Sequence, residues 1–495
     1  MKKYILTLCS ALFLFNSCDL DINDNPNYPD SSTITPDLLF PSVQNFVAAT
    51  SCDVMFNYAG FFAQYFEQKP GSTQFTDWTT YNIKESDDIM LRAYRNLYAG
   101  ALPDIKDIMD KTDNTADRFA ATVMRAFIFQ LMVDNTDEAP YSEATQGSSN
   151  ASPKWDDGKD VYTGVLAELD EAEAALDASS DVMTLTDMMF NKSISQWKGY
   201  ANALRLRMYL RMYDVDNSVQ SKITALVAAN NFFSGDAKID IYAASDGNRS
   251  PFYASYYSLG TGNHCAAYPI ASYMNSTSDP RIGYALDKNG DGKYVGQIPG
   301  ARSRMNTWAG KTWTDNDVSA VNYDLYDGTG VSRPAYLFTQ ANLQFLIAEV
   351  KTRFNNDNAG AKAAYEAAVK ADFSARGISG ADTFLAGDAV NWDKASDKLN
   401  LIYMQKWVAL FYMDNMEAWS EIRRTDVPTL SSKTGKAIYD DSTIYNSGDL
   451  IEPTDNAIEA GGLIKRVPYP LTARNLNKNT PTAKTCDKRV WWDAK

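Results

Sequence analysis

The stretch SQWKGYANALRLRMYLRMY restricts the fold more than any other part of the chain. Trp197, Ala201, Leu204, Met208 and Met212 recur at spacings of four, three, four and four, which places them on one buried stripe of an α-helix. Arg205, Arg207 and Arg211 fall off that stripe, where their aliphatic stems can cover its flanks. In LIYMQKWVALFYMDNMEAWSEIRR, Leu401, Met404, Val408, Phe411, Asn415 and Trp419 repeat the pattern with one polar break. Further helices are expected over 88–111, 116–133, 161–176, 339–354 and 359–376.

The last two form a pair joined by a short Asn/Asp/Gly link. Ala361, Tyr365 and Ala368 let a partner helix approach and fill the gap with one ring, much as in the second helix of a tetratricopeptide unit. The first helix of the pair fits that pattern poorly, so helix pairs stacked without strict repetition are expected. Between the helices run three long irregular stretches, 64–84, 233–273 and 287–336, dense in Gly, Asn, Ser, Thr and aromatics. Loops of this length inside a compact domain are more often functional than not.

At the head of the chain, Lys2 and Lys3 precede an apolar run over 4–15. A bilayer span needs about 20 apolar residues, so the run has the layout of a secretory signal. Ser17 and then Cys18 follow, as in a bacterial lipoprotein whose mature first residue is a diacylated cysteine, although Phe15 and Asn16 replace the usual Leu and small residue. Simple secretion is the alternative. Asp19, Asp21 and Asp24 look like the acidic tag that sends Bacteroidetes lipoproteins to the outer cell surface. The expected division is a signal peptide over 1–17, a lipidated tether over 18–36 and one binding domain over 37–495.

A formal charge of −15 repels phosphate backbones and argues against nucleic acid as a ligand. Of five cysteines, Cys9 leaves with the signal and Cys18 is the expected anchor; Cys52, Cys265 and Cys486 remain, odd in number and widely spaced, which suits neither a disulfide scaffold nor a zinc site. His264 is the only histidine, so a site built on two histidines is ruled out, and a hydrogen-bonding role in a loop is its expected use. In DKNGDGKY, Asp287, Asn289 and Asp291 match the start of a calcium loop, but the closing position is Ile298 and not Glu. An Asn-Gly/Asp-Gly turn accounts for the same residues. No other cofactor is expected.

Aromatic residues stand out, with 29 Tyr, 22 Phe and 10 Trp. Those in the irregular stretches are Trp78, Tyr81, Tyr256, Tyr257, Trp308, Trp313, Tyr323 and Tyr326. Rings beside Asn, Gln and Asp suit a sugar, whose C–H face stacks while its hydroxyls take hydrogen bonds. The same rings could instead pin their own loops to the helical body.

Several segments in order resemble the SusD/RagB family of outer-membrane nutrient-binding lipoproteins: NPNYPDSSTITPDLLFPS, APYSEA at 139–144, WKGYANALRLRMYLR at 197–211, DPRI at 279–282, KYVG at 293–296, QKWVALFYMDNMEAWSEIRRTDVP at 405–428 and RVPYP at 466–470. One departure is the lead into PYSEA, which reads DNTDEA where members often have a Tyr-Gly-Asp-Val-Pro-type turn. The resemblance implies a mainly α, tetratricopeptide-like superhelix with an irregular ligand-binding half. It also implies a lid-like role on a SusC-like, TonB-dependent barrel transporter that receives glycans or peptides. The matching segments are framework and carry no ligand residues across. A non-catalytic glycan-binding lipoprotein is therefore expected, with a peptide cargo or a surface glycosidase acting through two carboxylates as alternatives.

Overall fold

The helices begin where their caps and first turns permit. In the computed structural model, which describes residues 34–255, 263–325 and 328–495, α1 (Pro36–Ala49) opens on Pro36, a residue that suits the first helical position. A π turn, Thr50–Val54, leads into α2 (Met55–Phe62). Helical turns run from Leu91 through a second π turn into α3 (Leu102–Lys111). Asn114 then caps α4 (Thr115–Thr136) by accepting from the Ala116 and Asp117 amides. There follow α5 (Gly158–Asp177), α6 (Ile194–Met212), α7 (Gln220–Ala229) and α8 (Arg302–Ala309). The later helices are α9 (Gln340–Arg353), α10 (Asn358–Ala375), α11 (Lys398–Leu410), α12 (Asn415–Thr425) and α13 (Gly435–Asp440). Side chains of Thr339, Asp357, Asp397, Asp414 and Thr434 cap these five in turn. The pair α9–α10 packs as expected, α4 packs on α5, and α11 lies against α9.

Three expectations are corrected. First, α6 is buried well beyond its apolar stripe: Arg207 and Arg211 are 1% and 0% exposed. Their charges are met by Glu417 on α12, and Arg211 also pairs with Asp134 on α4 at 2.5 Å. The stripe marks only one of several covered faces. Second, the 401–419 pattern is two helices, because Tyr412 adopts φ +64°. The Asn415 side chain accepts the Tyr412 amide, and Asp414 starts α12 afresh.

Third, the irregular stretches contain paired strands. β1 (Phe66–Gln68), β2 (Ala237–Ile239), β3 (His264–Ala266) and β4 (Ala335–Phe338) form two antiparallel pairs, β1 with β3 and β2 with β4. In the first, Glu67 lies opposite Cys265 and Gln68 opposite His264. His264 is accordingly not a loop residue. Its ring lies 4.9 Å from Phe75, 5.1 Å from Phe61 and 5.2 Å from Phe66, and burial holds its pKa down at about 3.

Most buried side chains join one core around α4, α6, α9 and α11. A second, smaller cluster of Ile298, Ala301, Met305, Ile438, Tyr445 and Ile451 lies under the loops. The candidate site sits on this cluster.

Candidate functional site

The floor of the loop face is a set of buried amides and one carboxyl. Gln64 donates to the Ile451 carbonyl at 2.6 Å and accepts its amide at 2.9 Å, tying the 451 segment to the end of α2. Gln68 accepts the Phe75 amide at 2.5 Å, and Gln297 donates to the Gln68 carbonyl at 2.5 Å. Glu67 accepts the amides of Gln68 at 2.8 Å and Gly300 at 3.3 Å. Unmade bonds at such depth would cost about 1–3 kcal/mol each, so these contacts fix where three separate loops lie.

On that floor, α8 and α13 bring rings together. Trp308 lies 5.5 Å and Trp313 6.1 Å from Tyr439, centroid to centroid. All three are partly buried against the smaller cluster. The Asn306 side chain accepts the Trp313 amide at 2.6 Å, and Asp315 accepts the Gly71 amide at 2.9 Å, which ties this loop to the 69–84 stretch. Beside Trp308 opens a cleft of about 360 Å³ lined by Arg304, Ser431, Lys436, Glu452 and Thr454 among others. The Lys436 ammonium stands 5.8 Å from the Trp308 ring and Lys311 5.3 Å from Trp313. Arg304 binds Asp455 through two nitrogens, and Lys436 pairs with Asp440 at 2.6 Å. The cleft thus presents an apolar ring face beside hydroxyls and paired charges.

Of the aromatics expected to bind, the structure brings together Trp308 and Trp313. Trp78 lies apart from them, edge-on to Tyr58 and Phe61 and 4.8 Å from Phe75. Tyr81 is 4% exposed and packs on Phe62, so its ring serves the core. Tyr256, Tyr257 and Tyr326 lie outside the described residues, and of Tyr323 only the backbone is described, in the 3-10 turn Tyr323–Leu325. Tyr439, Arg304, Lys436 and Glu452 escaped the reading of the sequence. Tyr439 lies on a short helix, and no spacing links it to residues 308 and 313.

The calcium candidate is a turn. Asn289 accepts the amides of Asp291 at 3.1 Å and Lys293 at 3.0 Å, and Gly292 has φ +75°, a left-handed geometry suited to glycine. Among the described residues no group of three His, Cys, Asp or Glu could hold a metal ion. Larger grooves lie elsewhere, about 750 Å³ beside Tyr81 and Lys484 and about 820 Å³ beside Tyr284 and Arg376. Among the described residues, neither joins two of the expected rings.

Stacked helix pairs carrying loops and an aromatic cleft define a mainly helical class of protein, and comparison narrows it. The chain belongs to the SusD-like family: the family model described as "Starch-binding associating with outer membrane" matches residues 27–446. Solved structures share the fold at 20–23% identity. A chitin-binding SusD homologue from Flavobacterium johnsoniae is 23% identical with a TM-score of 0.70, covering 92% of this chain and 98% of its own. A protein titled as chitin-binding is 20% identical with a TM-score of 0.72, covering 93% and 100%. A SusD homologue from Bacteroides thetaiotaomicron is 22% identical with a TM-score of 0.67, covering 95% and 100%. No curated protein matches the chain. Among the described residues no helix is long and apolar enough to cross a membrane.

Proposed function

We propose that this chain is a non-catalytic glycan receptor of the outer cell surface, capturing oligosaccharide on the Trp308–Trp313–Tyr439 face and passing it to a SusC-like, TonB-dependent barrel. The observation that carries the reading is the convergence of these three rings beside a cleft that Trp308 lines together with hydroxyls and paired charges. Family membership and the chitin-binding relatives support it. Each ring contributes roughly 1 kcal/mol beyond burial, so several must act together.

The test is affinity electrophoresis and calorimetry with chitin and starch oligosaccharides. Trp308→Ala should weaken binding about fivefold, and its combination with Trp313→Ala by more than tenfold, with the unfolding midpoint nearly unchanged. Binding of peptides in place of any glycan would refute the cargo. Reducing ends released by the purified protein, and lost on substituting a pair of carboxylates, would refute the non-catalytic reading.

The proposal includes a tether. Residues 1–17 act as a signal, Cys18 carries the lipid, and 18–36 form a leash ahead of the 37–495 domain. These head segments lie outside the described residues up to position 33. Cys18→Ala should release the protein from the cell surface, and normal surface levels of that variant would refute the anchor. Co-purification of a barrel protein with the tagged wild type tests the partner.

A further inference from the structure

We infer that Glu67 is a proton-dependent positioning residue that holds the aromatic wall of the cleft in place, an inference that rests on the proposed glycan site.

Glu67 sits on β1 beneath the cleft and is 2% exposed. One carboxyl oxygen accepts the adjacent Gln68 amide; the other accepts the Gly300 amide. Gly300 has φ +69°, and a Cβ built there would stand 2.9 Å from the Thr454 amide nitrogen. The next residue, Ala301, is the N-cap of α8, the helix that carries Arg304 and Trp308. The Thr454 amide in turn donates to the Pro299 carbonyl at 3.0 Å, and Thr454 lines the cleft. A single carboxyl therefore fastens the turn from which one wall of the cleft rises and against which the other leans.

Groups facing Glu67 are Cys265 across the strand pair, Tyr81 from the following loop and the Thr79 hydroxyl. Lys69, two residues on, acts on His264 and Cys265, and Glu452 acts on Tyr81. Among the described residues Glu67 has no ion-pair partner. Burial raises its pKa to about 8, and the two backbone amides and Thr79 only partly oppose this. At neutral pH the group is a buried neutral acid. Above pH 8 it becomes an isolated buried anion, a state that draws in water or breaks the packing around it. Of the two amides that Glu67 accepts, that of Gly300 is held at 3.3 Å against 2.8 Å for Gln68, so the turn is the weaker hold.

The experiment labels the protein with 5-fluorotryptophan and assigns the Trp308 fluorine resonance with Trp308→Phe. That resonance should titrate with a midpoint near pH 8 in the wild type and stay flat in Glu67→Gln, which has no proton to lose. Chitin-oligosaccharide affinity in the same buffers should fall about tenfold per pH unit above 8 in the wild type and not in the Gln variant. A wild-type resonance unchanged between pH 6 and 9.5, or the same titration in Glu67→Gln, overturns the inference. The wild-type titration decides the matter if the variant does not fold. Absence of glycan binding at every pH overturns the proposed function instead, while the fluorine titration still judges Glu67.

Discussion

His264 is held neutral by the rings of Phe61, Phe66 and Phe75 around it. In the unfolded chain it takes a proton near pH 6.5, but in the folded protein only near pH 3. The folded pKa lies below the unfolded one, so the unfolded state binds more protons between these limits. Stability is therefore lost as pH falls from about 6.5 to about 3, by about 1.4 kcal/mol per unit. His264→Phe should remove that loss. Between pH 6.5 and 4.5 the variant should gain about 2–3 kcal/mol on the wild type, measured by urea unfolding at both values. A difference that stays constant with pH would refute this. The case also shows what single residues disclose. Trp308 and Trp313 stand out in the sequence as rings in a polar stretch, and the structure sets both against Tyr439. Tyr81 carried the same signal yet went to the core, because the turns that bury it depend on partners such as Ala457, whose amide bonds to the Thr80 carbonyl from across the chain.

At the scale of elements, Gly199 makes the sharpest claim. It lies inside α6, where Ala is ordinarily favoured over Gly by about 1 kcal/mol. Here a Cβ would stand 2.2 Å from the Phe233 amide nitrogen, so the backbone of the following loop occupies the space. Gly199→Ala should lower the unfolding midpoint by about 1–3 °C despite its better helix propensity, since overpacking against fixed backbone costs about 1–3 kcal/mol. A raised midpoint would show that the loop can yield. Periodicity revealed α4, α5, α6, α9 and α10 because each keeps an uninterrupted stripe. It joined α11 and α12 wrongly, because the apolar spacing passes straight through the left-handed turn at Tyr412. The β1–β3 pair was illegible for another reason: strands of three residues carry too few positions for alternation to show.

Across the whole molecule, buried charge ties the layers together. Asp134 on α4 accepts from Arg211 on α6, from the Tyr162 hydroxyl on α5 at 2.5 Å and from the Trp492 indole at 2.9 Å. Glu417 on α12 completes the arrangement through Arg207 and Arg211. Removing one partner leaves a buried charge unmet, which costs about 3–5 kcal/mol. Arg211→Leu should lose that much in urea unfolding, and adding Asp134→Asn, with Glu417 kept for Arg207, should recover part of it. If the double variant is no better than the single one, the loss comes from packing and not from charge.

The three cysteines among the described residues lead to a different kind of consequence. Cys52 lies in the π turn between α1 and α2, Cys265 on the strand pair beneath the cleft, and Cys486 in the C-terminal segment whose carbonyl receives the Lys465 amide. All are free and buried, and burial raises every one of their thiols, so reagents reach them only through openings of the structure. The chain therefore carries its own clocks for three regions. Timed alkylation read by peptide mass should mark Cys486 first, the most accessible at 7% exposed. A ligand seated on the loop face should slow Cys265 while leaving Cys52 at its former pace.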